Sequence, residues 1–348
     1  MANILSRPGR AVLRLTVLAI WLCVCAMAQG RISKADFKLP EVPQPAGNKM
    51  TPQRVKLGKM LFFDPRLSGS NWISCATCHN PALGWSDGLP TARGQEMKVL
   101  RRATPSIVNS AFNHLQMWDG RFRSLEEQIS GPIQSPDEMD GSMDQVLAKL
   151  KLMPGYVEAF EKSYPGEGIT ELTLAKAIAS FERTLILRQS PFDIWVGGNE
   201  DAISPSAKRG FRLFVGKANC VACHQAPNFT DEGFHNIGLK DNHDVGRYAV
   251  VPIKATKGSF KTPSLRGVGL TAPYMHDGVY QTLEEVIDHY DRGGGDRQNL
   301  DPNIKPLKLT KQEKHDLVQF LKSLSGKAMA VTVPALPSLD KPKKTEMP

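Results

Sequence analysis

Cys75-Ala76-Thr77-Cys78-His79 and Cys220-Val221-Ala222-Cys223-His224 decide how this chain is to be read. Each is a Cys-x-x-Cys pair with a histidine directly behind it. Two thioether bonds to the vinyl groups of one porphyrin need sulfurs about one helical turn apart, and the next side chain then reaches the iron from the proximal face. Four cysteines in an oxidising compartment would ordinarily suggest two disulfides, but this spacing argues for haem. The expectation is two covalently bound haem c groups, held by Cys75 and Cys78 and by Cys220 and Cys223, with His79 on the first iron and His224 on the second.

Outward from the motifs a weak repeat emerges. Thr51-Pro52 and Ser204-Pro205 each place an N-cap before a proline at the first helical position. Gly58 follows its proline by six residues and Gly210 by five, and three residues beyond each glycine begin Leu61-Phe62-Phe63 and Leu213-Phe214. This predicts two haem domains, residues 29–200 and 201–330, joined near Ser190 to Ser204, where Pro191, Gly197 and Gly198 interrupt the pattern. Leu174, Ile178, Phe181 and Leu185 share one face of a helix from about Thr170 to Leu187. Thr310 with Glu313, and Thr282 with Glu285, read as capping boxes, the first for a helix ending at Gly326. Behind the second box, Val286 and Tyr290 fall on one face. No long alternating pattern suggests strands, so the fold class is mainly α: two cytochrome c-like haem domains with long loops.

Composition agrees with a globular chain, 41% apolar and 23% charged. Aromatics are 7% while Gly and Pro number 29 and 25, so loops are long and the haems are expected to supply part of the core. Arg7, Arg10 and Arg14 precede an apolar run from Leu15 to Ala28, and Ala26-Met27-Ala28 fits a small-x-small cleavage rule. Residues 1–28 therefore read as a signal peptide cleaved after Ala28, too short to span a bilayer, which sends the mature chain to the periplasm without stable membrane insertion. Its loss lowers the formal charge from +9 to +6. With no dense basic stripe, nucleic acid is an unfavoured partner. Residues 331–348, with Lys341 to Lys344, read as a disordered tail.

Two haems serve either electron transfer or chemistry, and the sixth ligands distinguish these. Chemistry needs one open iron with polar groups above it, whereas a carrier blocks both irons. His114, His235, His243, His276, His289, His315 and Met275 are all candidates by residue type, and spacing alone does not choose among them.

From Leu57 to Leu324 the chain resembles the bacterial di-haem cytochrome c peroxidases and their MauG-type relatives. The motifs that carry the likeness are Leu61-Phe62-Phe63-Asp64-Pro65, Trp118-Asp119-Gly120-Arg121, Phe234-His235-Asn236-Ile237-Gly238, Thr262-Pro263-Ser264-Leu265-Arg266 and Ala272-Pro273-Tyr274-Met275-His276-Asp277-Gly278. The resemblance implies an enzyme whose first haem binds hydrogen peroxide and whose second stores electrons, with Trp118 between them. It implies Gln128, Pro132 and Glu138 on the distal side of the first haem. A carboxylate there moves a proton from the near to the far peroxide oxygen, making water the leaving group. Ser135 to Glu138 also reads as a capping box, in which Glu138 would satisfy a backbone N–H. The resemblance further implies calcium, bound through backbone oxygens at Thr271 and Pro273, although the family's asparagine ligand is Ala103 here.

Two departures bear on mechanism. Family members that need reductive activation carry a histidine before Trp118 that plugs the first iron, and the stretch from Gly94 to Pro105 has none. The first haem is therefore expected open at rest. Where conventional members have a methionine on the second haem, this chain has Tyr290, as MauG-type proteins do, with Met275 the alternative. A thioether favours Fe(II), whereas a phenolate is a hard donor favouring higher iron states. The resulting expectation is a MauG-like peroxidase that oxidises a protein partner; the alternatives are a conventional peroxidase fed by a c-type cytochrome and a non-enzymatic di-haem carrier. The MauG-type exit tryptophan is replaced by Ala218, so the protein substrate is not fixed by the likeness.

Overall fold

The computed structural model describes residues 32–240, 243–327, 329 and 331–339. The signal-peptide reading of residues 1–28 and the Lys341 to Lys344 cluster lie outside the described residues. Backbone proximity divides the chain into units 1–36 and 37–348. In the first, the Ser33 amide donates to the Asp36 carboxylate at 2.7 Å; the second holds both Cys-x-x-Cys-His motifs.

Its helices are α1 (Pro52–Phe62), α2 (Cys75–Cys78), α3 (Leu125–Gln128), α4 (Ser130–Gln134), α5 (Met143–Lys151), α6 (Pro154–Ser163), α7 (Glu171–Glu182), α8 (Pro191–Val196), α9 (Pro205–Val215), α10 (Leu283–Asp291) and α11 (Lys311–Ser323). Strands β1 (Phe234–His235) and β2 (Phe260–Lys261) pair antiparallel, Phe234 opposite Lys261 and His235 opposite Phe260. The class is mainly α.

The repeat seen in sequence has a packing cause. Thr51 Oγ1 accepts from the Arg54 N–H at 3.2 Å and Ser204 Oγ from the Ala207 N–H at 3.1 Å, so α1 and α9 begin in the same way. Each then crosses a later helix at its glycine. A Cβ at Gly58 would overlap the Ala177 carbonyl on α7, and one at Gly210 would overlap the Asp316 carbonyl on α11. Only a residue without a side chain permits that approach.

Each crossing organises a core. Leu61, Phe62, Trp85, Leu174, Ile178 and Phe181 belong to the first, bordered by Cys75 and Ala76. Phe192, Phe211, Phe214, Phe229, Leu317 and Phe320 belong to the second, which includes Val221 and is bordered by Cys220. Aromatic rings are scarce in the chain but concentrated here, with Phe214 and Phe320 at 5.0 Å and Phe192 and Phe229 edge-on at 5.4 Å. Both haem motifs thus sit at the margin of a helix-on-helix core. Asp64, fully buried, caps the turn after α1 through the Arg66 N–H at 2.9 Å and accepts from the Tyr156 hydroxyl at 2.6 Å.

Two expectations are corrected. α7 ends at Glu182, short of Leu187, because Asn109 binds the following segment: its N–H donates to Leu185 O at 2.9 Å and its Oδ1 accepts from the Leu187 N–H at 2.8 Å. Leu185 is buried all the same, from an extended segment. Residues 331–339, read as disordered tail, are laid down instead on the first core, where Val331 and Leu336 pack and Pro337 O accepts from Arg66 Nη1 at 2.8 Å.

Candidate active site

The proximal histidines are held alike. His79 Nδ1 lies 3.2 Å from Trp85 O, and His224 Nδ1 lies 2.9 Å from Phe229 O. A carbonyl only accepts, so Nδ1 carries the proton and Nε2 keeps its lone pair. Burial lowers both imidazole pKa values, favouring the neutral form that binds iron. Cys75, Cys78, Cys220 and Cys223 form no disulfide. Burial raises the thiol pKa of Cys75, Cys78 and Cys220, that of Cys78 to about 11 and that of Cys220 to about 12. Two unpaired thiols beside an imidazole with a free Nε2, twice over, fit covalent haem.

Above the first motif, Glu138 lies close enough to Cys78 to raise the thiol's pKa. Burial raises the Glu138 carboxyl above its ordinary range, opposed by the positive charge of Arg121. Ser135 ends α4 instead of starting a helix, and its N–H donates to Gly131 O at 2.9 Å. The capping-box alternative for Glu138 therefore falls, leaving the carboxylate without that structural duty. The loop from Gly94 packs on this turn, with the Gln95 N–H on Glu138 O at 2.8 Å. Gln128 closes α3, and its Nε2 donates to the Glu182 carboxylate at 3.4 and 3.5 Å.

Glu182 escaped the sequence reading. It is 4% exposed, and burial pushes its pKa up to about 8. Its neighbour Arg183 is committed to a two-pronged pair with Glu126 at 2.7 and 2.8 Å. The signal was present as a carboxylate directly after Phe181 on an otherwise apolar helix face.

Above the second motif stands Tyr290, on α10. Burial raises its phenol pKa, and Cys220, Cys223 and Tyr280 are near enough to add to the effect. A ferric ion would reverse this by favouring the phenolate. Met275 instead sits in a turn held against the first half, where His276 O accepts from the Ala103 N–H at 2.7 Å.

The two halves superpose in sequence here more closely than the motif helices do. Phe122-Arg123-Ser124-Leu125-Glu126-Glu127-Gln128-Ile129-Ser130-Gly131-Pro132 runs parallel to Tyr280-Gln281-Thr282-Leu283-Glu284-Glu285-Val286-Ile287-Asp288-His289-Tyr290. The structure repeats too. Gln116 bridges Phe122 as Tyr274 bridges Tyr280, and Ser124 and Thr282 each cap the glutamate three residues on. Pro132 therefore occupies in the first half the place that Tyr290 takes in the second. The side chain of proline has no donor atom to offer iron; that of tyrosine has one.

Trp118 lies between the halves. Its Nε1–H donates to Ala103 O at 2.9 Å, its own carbonyl accepts from the Lys261 N–H at 2.8 Å, and its ring meets His276 edge-on at 6.3 Å. Arg102 holds the same junction, reaching Asp119 and Asp244 at 2.7 Å each. Ala103, with its carbonyl occupied and no side-chain oxygen, leaves Thr271 and Pro273 a poor donor set for calcium, a cation that takes six to eight oxygens. His114 is exposed. Ala218 and Trp195 are buried in the second core, with Trp195 Nε1 donating to Glu200 at 2.8 Å.

Comparison with known proteins gives a consistent result. A family model described as di-haem cytochrome c peroxidase matches residues 52–201, and a cytochrome c model matches 207–325. The chain is 50% identical over 308 residues to the methylamine utilization protein MauG of Methylorubrum extorquens, covering 87% of each. The chain belongs to the di-haem cytochrome c peroxidase and MauG family. It is also 36% identical to cytochrome c551 peroxidase of Pseudomonas aeruginosa, over 88% of this chain and 89% of that one. A crystal structure of a MauG-like protein associated with microbial copper homeostasis superposes with a TM-score of 0.78 at 32% identity, covering 84% of this chain and 95% of that one.

As a member of this family the protein is a di-haem peroxidase, built of two cytochrome c-like domains carrying haem c and acting on peroxide with protein partners. Among the described residues no helix is long and apolar enough to cross a membrane.

Proposed function

We propose that this protein is a MauG-like enzyme of the periplasm, one that takes oxidising equivalents from hydrogen peroxide and delivers them to a residue of a partner protein. The observation that carries the reading is the exchange within the repeat: Pro132 stands in the first half at the position that Tyr290 holds in the second. Pro132 would leave the haem held by His79 without a side-chain ligand on that side, and Tyr290 would offer the haem held by His224 a hard anionic donor suited to holding oxidising equivalents.

The haems, when bound, supply the redox chemistry; the chain directs protons and geometry around them. Glu138 takes the proton from the near peroxide oxygen and returns it to the far one, so that water leaves. Gln128 orients the oxidant through its amide, itself held by Glu182. Pro132 narrows the distal side without offering a ligand. His79 and His224 supply the proximal Nε2 atoms, and Trp118 provides a ring between the two halves. The absence of histidine from Gly94 to Pro105 supports a first site that needs no prior reduction.

Peroxide added to the resting ferric holoprotein is expected to change the absorption of both haems. Steady-state consumption of peroxide with a reduced c-type cytochrome is expected to be slow. Fast turnover with the cytochrome, or sulfur ligation at the second haem by magnetic circular dichroism, would instead mark a conventional cytochrome c peroxidase.

A further inference from the structure

Tyr280 and His289 form a pair that the proposed reaction has not used. The His289 Nε2 lies 2.9 Å from Ile237 O, and its Nδ1 lies 3.0 Å from the Tyr280 hydroxyl. The carbonyl requires a proton on Nε2, so the neutral ring presents its Nδ1 lone pair, and Tyr280 O–H is the donor. His289 is buried, at 1% exposure, while Tyr280 is half-buried and borders a cavity of about 320 Å³ together with Lys240 and Arg292. The rings run in series: Tyr280 to His289 at 5.5 Å between centroids, and His289 to Tyr290 at 5.4 Å.

The repeat gives this pair an internal comparison. At the matching places in the first half stand Phe122 and Gly131, and a Cβ on Gly131 would come within 2.7 Å of the Phe122 ring. The same two backbone positions meet in both halves. Ring-over-glycine packing fills the contact in the first; the second has a phenol donating to an imidazole. That exchange adds a removable proton and its acceptor in the half where Tyr290 stands, and packing alone does not call for it.

We infer that Tyr280 is a redox-active tyrosine, the point at which oxidising equivalents leave the second haem for a partner protein; this rests on the function proposed above. Tyr280 gives one electron to the centre ligated by Tyr290. Its O–H bond breaks as the proton passes to His289 Nδ1, forming an N–H bond and leaving a neutral phenoxyl radical. A phenol or indole of the partner then returns one electron to Tyr280, the proton goes back from His289 Nδ1, and the oxidised partner residue releases its own proton to water. Peroxide, reduced to water, is the oxidant for two such cycles.

The test is freeze-quench electron paramagnetic resonance on the holoprotein mixed with peroxide without partner, with optical absorption followed in parallel. A radical signal that narrows on incorporation of ring-deuterated tyrosine is expected. Tyr280→Phe, which removes one oxygen atom, should lower it at least ten-fold while both haems still respond optically; Tyr274→Phe should leave it in place. If both haems respond but the tyrosyl signal is missing, or survives unchanged in Tyr280→Phe, Tyr280 is not the exit. A second haem that never responds in the unaltered protein removes the underlying reading, and this inference with it.

Discussion

At the scale of one residue, Glu138 carries the clearest charge argument. Burial raises its pKa and Arg121 lowers it. The carboxylate that accepts the peroxide proton is therefore scarce at low pH and becomes dominant only as pH climbs through that raised value. The rate of reaction with peroxide should rise with pH along a limb belonging to Glu138. Arg121→Ala removes the opposing charge and should move the limb to higher pH. Glu138→Gln should abolish the limb and cost about 10²- to 10⁴-fold in rate, the usual worth of a positioned acid-base group. Stopped-flow rates over a pH series check both variants, and an unchanged limb in Glu138→Gln would assign it elsewhere.

At the scale of elements, the two helix crossings set the stability of each half. Gly58→Ala or Gly210→Ala would drive a methyl group into a facing backbone carbonyl, which neither helix relieves by rotating a side chain. About 3 kcal/mol of destabilisation is expected for each, at the upper end of overpacking, seen as a lower denaturant midpoint and poorer haem incorporation. These glycines were legible in sequence because each follows a cap and a proline within one helix and stands three residues before a Leu-Phe pair, a pattern written in local backbone needs. The capping boxes at Thr282 and Thr310 were legible for the same reason. What was not legible depends on distant partners. Asn109 stops α7 from 78 residues away in sequence, and Arg66 fixes Pro337 from the other end of the chain. Glu182 and the Tyr280–His289 pair were hidden in another way, as ordinary residue types whose meaning depends on what burial removes and on which repeat position they replace.

At the scale of the whole molecule, the two halves share a plan and differ where they meet oxidant and partner, so the junction must carry charge between unlike ends. Trp118 is pinned there from both sides, by Ala103 O and by the Lys261 N–H. Arg102 and Arg247 bind the flanking Asp119, the latter through its carbonyl at 2.8 Å. An indole so fixed offers a readily oxidised ring at constant distance from each half. Trp118→Phe keeps an aromatic ring and both backbone anchors' segments, but loses the Nε1–H bond, worth about 1 kcal/mol, and replaces indole by a ring much harder to oxidise. Stability should fall little. The first haem should meet peroxide at its original rate, since Glu138 and Gln128 are untouched, while the optical response of the second should lag at least ten-fold behind it. Stopped-flow spectra resolve the two phases. If both haems still respond together in Trp118→Phe, charge crosses the junction by another route, and the arrangement around Trp118 serves only to hold the halves in register.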